Sequence, residues 1–110
     1  MPEGLVTLDA DSFAQAEEGV WLIDFWAEWC SPCRALEPVL AGMTGSIGSA
    51  RIGKVEVSVH PELASRFGVS SVPTLVLLRD GKELRRMIGA RPREVLLRAV
   101  SEAVDGEATA

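Results

Sequence analysis

One stretch of the sequence, Val20–Ala27, constrains the fold more than any other, because it is apolar at every position except Asp24. Its β-branched and aromatic side chains favour an extended strand, and a strand without polar alternation is expected to be covered on both faces. Such strands lie in the centre of parallel or mixed sheets that carry helices on both sides. The stretch therefore predicts an α/β protein, and the apolar neighbours of Asp24 predict a buried carboxyl group, with a position on a wetted strand face as the alternative.

The remaining periodic segments alternate around this strand. Helices are predicted from Asp9 to Gly19, from the Cys30 region to Met43 with a kink at Pro38, and over Pro61–Gly68 and Pro92–Val104. Strands are predicted over Leu5–Leu8, Val20–Ala27, Arg51–Val59, Thr74–Leu78 and Lys82–Ile88, the last two joined by a turn at Asp80-Gly81. The order β-α-β-α-β-α-β-β-α predicts a central mixed five-stranded sheet flanked by four helices. With 110 residues the chain is expected to be a single domain, residues 1–110, in which 105–110 form a short polar tail.

Charge and composition exclude several classes of function. The formal net charge is −5, which argues against a nucleic-acid-binding protein and against attraction to anionic membranes. The apolar runs are too short to span a bilayer, and the first residues show no basic region followed by an apolar stretch. We therefore expect a cytoplasmic protein, in a compartment that keeps thiols reduced.

The two cysteines, Cys30 and Cys33, lie between a predicted strand and a predicted helix. One interpretation is a structural disulfide, although a bridge that encloses so short a loop stabilises little. A second is half of a metal site, although structural zinc needs four ligands and the chain has one histidine, His60, far away in sequence. The third is redox chemistry, because CxxC beside a β-α unit is a redox signature.

Helix geometry favours the redox interpretation. Cys30 is predicted at the N-terminus of the helix, where free N–H groups and the helix dipole stabilise a thiolate. Cys33 is one turn further along and is expected to be more buried. An exposed Cys30 thiolate would attack a disulfide, and Cys33 would resolve the product.

The stretch Asp24–Arg34, DFWAEWCSPCR, resembles the active-site segment of the thioredoxin family. Pro38 stands where family members have a proline in the same helix, Ser71–Thr74 resembles the cis-proline loop, and Gly89-Ala90 resembles a third substrate-facing segment. The resemblance covers almost the whole chain. It implies the thioredoxin fold and a protein-disulfide reductase that works through a mixed disulfide.

The resemblance also implies roles for individual residues. Cys30 would be the nucleophile and Cys33 the resolving thiol, with Ser31 and Pro32 between them. Pro73 would be cis, and an apolar target-binding surface would comprise Trp29, Val72, Pro73, Gly89 and Ala90. The family resemblance implies no bound cofactor or metal, disulfide-containing target proteins, electrons that come from NADPH through thioredoxin reductase, and a monomer.

Three residues around Asp24 carry further expectations. A buried carboxyl group has a raised pKa, so Asp24 is expected to help deprotonate Cys33. Lys54 matches a family lysine on the adjacent strand and is expected to pair with Asp24, a solvated surface lysine being the alternative. Trp26 matches a position whose indole bonds an aspartate in the family, but that partner position is Ser58 here, whose hydroxyl has a shorter reach.

The Ser31-Pro32 pair departs from the Gly-Pro of typical thioredoxins, which predicts a different reduction potential. Two other functions stay open on the residues alone. One is a disulfide oxidase or isomerase, and the other is a scaffold with the same fold that uses its apolar surface without redox chemistry.

Overall fold

The computed structural model describes residues 4–109, and the side chains of 107–109 are left undescribed. The expectations for residues 1–3 and for Ala110 lie outside this range. The strands are β1 (Leu5–Thr7), β2 (Val20–Trp26), β3 (Arg51–Glu56), β4 (Thr74–Arg79) and β5 (Lys82–Ile88). The α-helices are α1 (Ser31–Met43), α2 (Pro61–Arg66) and α3 (Arg93–Thr109), and a 3-10 helix spans Phe13–Glu17.

The strands form one mixed sheet in the order β1-β3-β2-β4-β5. Strand β2 is central, parallel to β3 and antiparallel to β4, so the prediction of a strand covered on both faces is confirmed. Asp80 and Gly81 both have positive φ, 51° and 81°, and form the tight turn predicted between β4 and β5. The α/β class and the five-stranded mixed sheet are therefore as predicted.

Two apolar clusters cover the two faces of β2. Val20 and Leu22 pack with Leu36 and Leu40 of α1, in a cluster that also includes residues of α3. Trp21, Ile23 and Phe25 point the other way, into a cluster that includes Phe13 of the 3-10 helix and Leu63 of α2. Because side chains alternate along a strand, Asp24 shares the α1 face with Leu22. The fold therefore places Asp24 under the helix that carries Cys33.

The first of the four predicted helices, from Asp9 to Gly19, is not an α-helix. Oδ1 of Asp9 accepts hydrogen bonds from the N–H groups of Asp11 and Ser12, at 3.0 and 2.8 Å, and this tight turn is followed by a 3-10 helix rather than an α-helix. Only Phe13 and Ala16 are buried in that helix, a spacing of three residues that suits 3-10 geometry.

Two other predicted boundaries also differ. Strand β3 ends at Glu56, because the Glu56 carbonyl accepts hydrogen bonds from the N–H groups of Val59 and His60 and the chain turns. Helix α3 continues to Thr109 instead of ending at Val104, so 105–109 of the predicted polar tail are helical. Polar composition indicates exposure, and an exposed face is compatible with a helix. Within the described residues no helix is long and apolar enough to cross a membrane.

Candidate active site

Cys30 and Cys33 meet at the start of α1, immediately after β2. Their sulfur atoms form a disulfide, and their Cα atoms are 5.3 Å apart. Cys30 is the N-cap of α1, and its Sγ accepts a hydrogen bond of 3.2 Å from the backbone N–H of Cys33. The helix N-terminus therefore directs a free N–H group at the sulfur, an arrangement that stabilises negative charge there once the bridge opens.

The two sulfur-bearing residues differ little in exposure. Cys30 is 5% exposed and Cys33 is 2% exposed. The order is the one predicted, but the exposed Cys30 that the sequence predicts is wrong for this bridged form, because Ala27, Val72 and Trp26 pack around the pair. A target that reaches Cys30 must therefore also contact the residues that pack around the cysteine pair.

That surface carries the residues predicted to bind targets. The Val72–Pro73 peptide bond is cis, and the Pro73 carbonyl accepts a hydrogen bond of 2.8 Å from the N–H of Gly89. This bond joins the Pro73 loop to the Gly89-Ala90 segment. Trp29 is 74% exposed and, with Val72, lines a groove of about 160 Å³. Ser71 of the predicted cis-proline loop also lines the groove, together with three residues that were not predicted from the sequence, Val57, Val69 and Ser70.

Asp24 is fully buried, as the apolar run predicts. Its neighbours across the sheet are Lys54 on β3 and Leu75 on β4. Neither carboxyl oxygen receives a hydrogen bond from the part of the chain that is described. Burial raises the pKa of Asp24 to about 7, and the positive charge of Lys54 opposes that rise. Asp24 can therefore gain and lose a proton near neutral pH.

Lys54 is not hydrogen-bonded to Asp24, so the expected pairing is wrong. Its Nζ donates instead to Oε1 of Glu37 on α1, and it lies 4.1 Å from the centre of the Trp26 ring. Burial lowers the pKa of Lys54, and the negative charge of Asp24 acts in the opposite direction. The alternative of a solvated surface lysine is also wrong, because Lys54 is only 8% exposed.

The Trp26 position also differs from the family pattern. Ser58 is exposed, and its N–H donates to Oε2 of Glu56 at 2.6 Å. No hydrogen bond between Trp26 and Ser58 is present among residues 4–109. The short serine side chain thus leaves the indole without that partner, and the Trp26 ring packs against the Lys54 ammonium group instead.

Glu37 is the main residue of the site that sequence analysis missed. It follows Cys33 by four residues, so the two side chains lie on the same face of α1. This spacing was visible in the sequence, but Glu37 has no counterpart among the motifs that carry the resemblance. A cleft of about 240 Å³ opens here, lined by Trp26, Glu28, Cys33, Arg34, Glu37 and Lys54.

The arrangement suits thiol–disulfide chemistry. Among the described residues there is no group of three or more His, Cys, Asp or Glu that could hold a metal ion. The sulfur atoms are bonded to each other at a helix N-terminus, beside an exposed groove. The helix covers the face of β2 that carries Asp24, whose pKa is raised to about 7 by burial. The bridge itself is the redox centre.

Comparisons with known proteins agree with this geometry. The thioredoxin family model matches residues 5–102. The chain is 46% identical to thioredoxin of Chlamydia caviae over 76% of this chain and 82% of that protein, and 40% identical to thioredoxin of Staphylococcus epidermidis over 80% and 86%.

Solved structures extend the agreement to the fold. A mutant thioredoxin from Halobacterium salinarum superposes with a TM-score of 0.85 at 30% identity, covering 94% of this chain and 93% of that one. A thioredoxin from Nicotiana alata gives a TM-score of 0.84 at 27% identity over 94% and 95%. The chain therefore belongs to the thioredoxin family, and it is a thiol–disulfide oxidoreductase that reduces disulfides in proteins through its Cys30–Cys33 pair.

Proposed function

We propose that Cys30 is the nucleophile and Cys33 the resolving thiol of a single thioredoxin domain spanning residues 1–110. In the reduced protein the Cys30 thiolate attacks one sulfur of a target disulfide, and the other target sulfur leaves as a thiolate and takes up a proton. The Cys33 thiolate then attacks Sγ of Cys30 in the mixed disulfide. The target leaves as a dithiol, and Cys30 and Cys33 are left oxidised as a disulfide.

The observation that carries this proposal is the position of Cys30 as N-cap of α1, with the Cys33 N–H directed at its sulfur. The free N–H groups and the helix dipole favour negative charge at a helix N-terminus, so this position stabilises the Cys30 thiolate. Cys33 lies inside the first turn and is 2% exposed, against 5% for Cys30. Ser31 and Pro32 occupy the turn between the two cysteines and support its geometry. That Ser31 makes the reduction potential differ from that of a Gly-Pro thioredoxin stays a prediction.

We assign Asp24 the role of proton acceptor for Cys33. Asp24 lies on the sheet face that α1 covers, and its pKa of about 7 lets it take a proton from a thiol at physiological pH. Lys54 supports this role, because its positive charge favours the ionised carboxylate that accepts the proton. Cys33 can then attack as a thiolate while the mixed disulfide shields it from solvent.

Target proteins are proposed to bind over Trp29, Val72, Pro73, Gly89 and Ala90. The exposed Trp29 ring and the groove beside Val72 offer apolar contact, and the Pro73 loop, hydrogen-bonded to Gly89, offers a rigid backbone edge. Extended target segments suit such a surface, because backbone pairing is independent of target sequence.

The oxidised protein must be returned to the dithiol by an electron donor. We propose that thioredoxin reductase supplies electrons from NADPH, that the protein is a monomer, and that it acts in the cytoplasm. The family relationship supports these three assignments.

Reduction of insulin, followed by its turbidity with dithiothreitol as electron source, tests the proposal. Cys30→Ser removes the attacking sulfur and is expected to reduce the rate to the uncatalysed background. Cys33→Ser retains the first step and is expected to accumulate a mixed disulfide, visible as a shifted band on a non-reducing gel. Insulin reduction above the background rate that survives Cys30→Ser would contradict the assignment of Cys30 as nucleophile. An unmodified protein whose rate does not exceed the background would favour a scaffold. Turnover with an NADPH-dependent thioredoxin reductase tests the donor separately.

A further inference from the structure

Lys54 lies between two carboxyl groups that belong to different elements. Asp24 is its register partner on β2, and Glu37 reaches it from α1. The Lys54 side chain is 10% exposed and the Glu37 side chain is 35% exposed, and both residues line the cleft that Cys33 also lines. The Lys54 ammonium group donates a hydrogen bond to Glu37 and none to Asp24.

Because Lys54 donates to Glu37, the buried Asp24 carboxyl group has no hydrogen-bond donor among the described residues. Both of its oxygens are buried and neither accepts a hydrogen bond within residues 4–109. On the β4 side its neighbour is Leu75, and α3 presents apolar side chains to the same cluster. A charged carboxylate in these surroundings needs a nearby cation, and Lys54 is the cation on the adjacent strand. The direction in which Lys54 points therefore controls how easily Asp24 ionises.

The other charged groups near Asp24 line the cleft beside Cys33. Facing the cleft are Glu28 from the loop before α1, Arg34 and Glu37 from α1, and Lys54 from β3. Lys54 contributes to the charge balance at Asp24 directly, and its contacts are fixed by Glu37 and by the Trp26 ring at 4.1 Å. Glu28 lines the same cleft and carries the same charge as Glu37, which makes it the matched control.

We propose that Glu37 is a positioning residue, which holds the Lys54 ammonium group on the helix side of the cleft and so keeps the Asp24 carboxyl without a charged hydrogen-bond partner. Glu37 acts through Lys54 and does not touch the reacting sulfurs. The inference extends the proposed function, since it rests on Asp24 as the proton acceptor for its consequence in catalysis. The effect of Glu37 on the protonation of Asp24 does not depend on that catalytic role.

The test is the pH titration of the Asp24 carboxyl carbon by NMR in the oxidised protein, where the bridged cysteines do not titrate. In Glu37→Gln the Lys54 ammonium is released toward Asp24, and the titration midpoint is expected to fall by about 1 pH unit. Glu28→Gln removes the same charge from the same cleft and is expected to shift the midpoint by much less. In a Lys54→Met background, Glu37→Gln is expected to leave the midpoint nearly unchanged.

Three results would overturn the proposal. They are a midpoint unaffected by Glu37→Gln, an equal shift in Glu28→Gln, and an equal shift in the Lys54→Met background. If Glu37 only ties α1 to β3, Glu37→Gln would lower the free energy of unfolding and leave the Asp24 titration midpoint unchanged, which is the first of these results. If the midpoint moves and the pH profile of target reduction does not, Glu37 keeps its role and the proposed catalytic role of Asp24 fails.

Discussion

The two faces of β2 are built in different ways, although both are buried. On the face toward the 3-10 helix and α2, Trp21, Ile23 and Phe25 pack in an apolar cluster, and the Phe25 ring lies 5.5 Å from the Phe67 ring. On the face toward α1, Asp24 interrupts the apolar surface with a carboxyl group that has no hydrogen-bond partner among the described residues. We call these the packed face and the reactive face.

This difference separates stability from chemistry within a single strand. Apolar burial on the packed face stabilises the fold in proportion to the area removed from water. An unpartnered buried carboxyl group on the reactive face destabilises the fold, and in return it titrates near the pH at which a thiol must be deprotonated. Changes on the packed face should therefore alter stability without altering chemistry, and changes at Asp24 should alter both.

The largest effect on stability is expected from Phe25→Ala. The side chain is fully buried, so the variant leaves a cavity on the packed face and should lose about 3–5 kcal/mol of unfolding free energy in urea denaturation. Phe25→Leu, which fills most of the space, is the control and should lose much less. The rate of target reduction per folded molecule should stay close to that of the unmodified protein. A small loss of stability combined with a changed pH profile of reduction would break the distinction between the faces.

The next effect is the pH dependence of stability at Asp24. Its pKa is about 7 in the folded protein against 3.8 for an ordinary aspartate, because burial disfavours the charge. Below both values the group is protonated in both states and has no effect. As the pH rises between them the unfolded chain ionises first, so the folded state loses stability, by up to about 4 kcal/mol once the pH exceeds 7.

Asp24→Asn removes this titration. Its unfolding free energy, measured by urea denaturation of the oxidised protein, should therefore gain on that of the unmodified protein as the pH rises from 4 to 8. Asp11→Asn makes the same chemical change at an exposed position and serves as the control. If the difference in unfolding free energy between Asp24→Asn and the unmodified protein stays constant over this range, burial does not raise the pKa of Asp24.

Much of this architecture could be predicted from the sequence, because it depends on patterns within single segments. The apolar run at Val20 and the Asp80-Gly81 turn each specify a local structure, and β2 and the β4–β5 hairpin were predicted closely. The first helix was predicted wrongly, since Asp9 is equally suited to capping a helix and to closing the tight turn that it forms with Ser12. A local pattern does not distinguish these outcomes.

The site shows where such patterns stop being sufficient. Cys30, Cys33 and the Pro73 loop were found from motifs, and the burial of Asp24 followed from its neighbours. The partner of Lys54 was predicted wrongly, because the sequence shows that Asp24 and Lys54 lie on adjacent strands but does not show that Glu37 of α1 reaches the same ammonium group. Competition between two partners for one charge is decided by side-chain packing in three dimensions.

Proton transfer from Cys33 to Asp24 can be tested by the pH dependence of target reduction in Asp24→Asn, measured beside the unmodified protein. The unmodified protein is expected to show an inflection near pH 7 that the variant lacks, and the variant is expected to be at least about 10-fold slower at pH 7. Asp11→Asn should retain the normal profile. An unchanged pH profile in Asp24→Asn would contradict the claim and leave Asp24 with no part in the reaction.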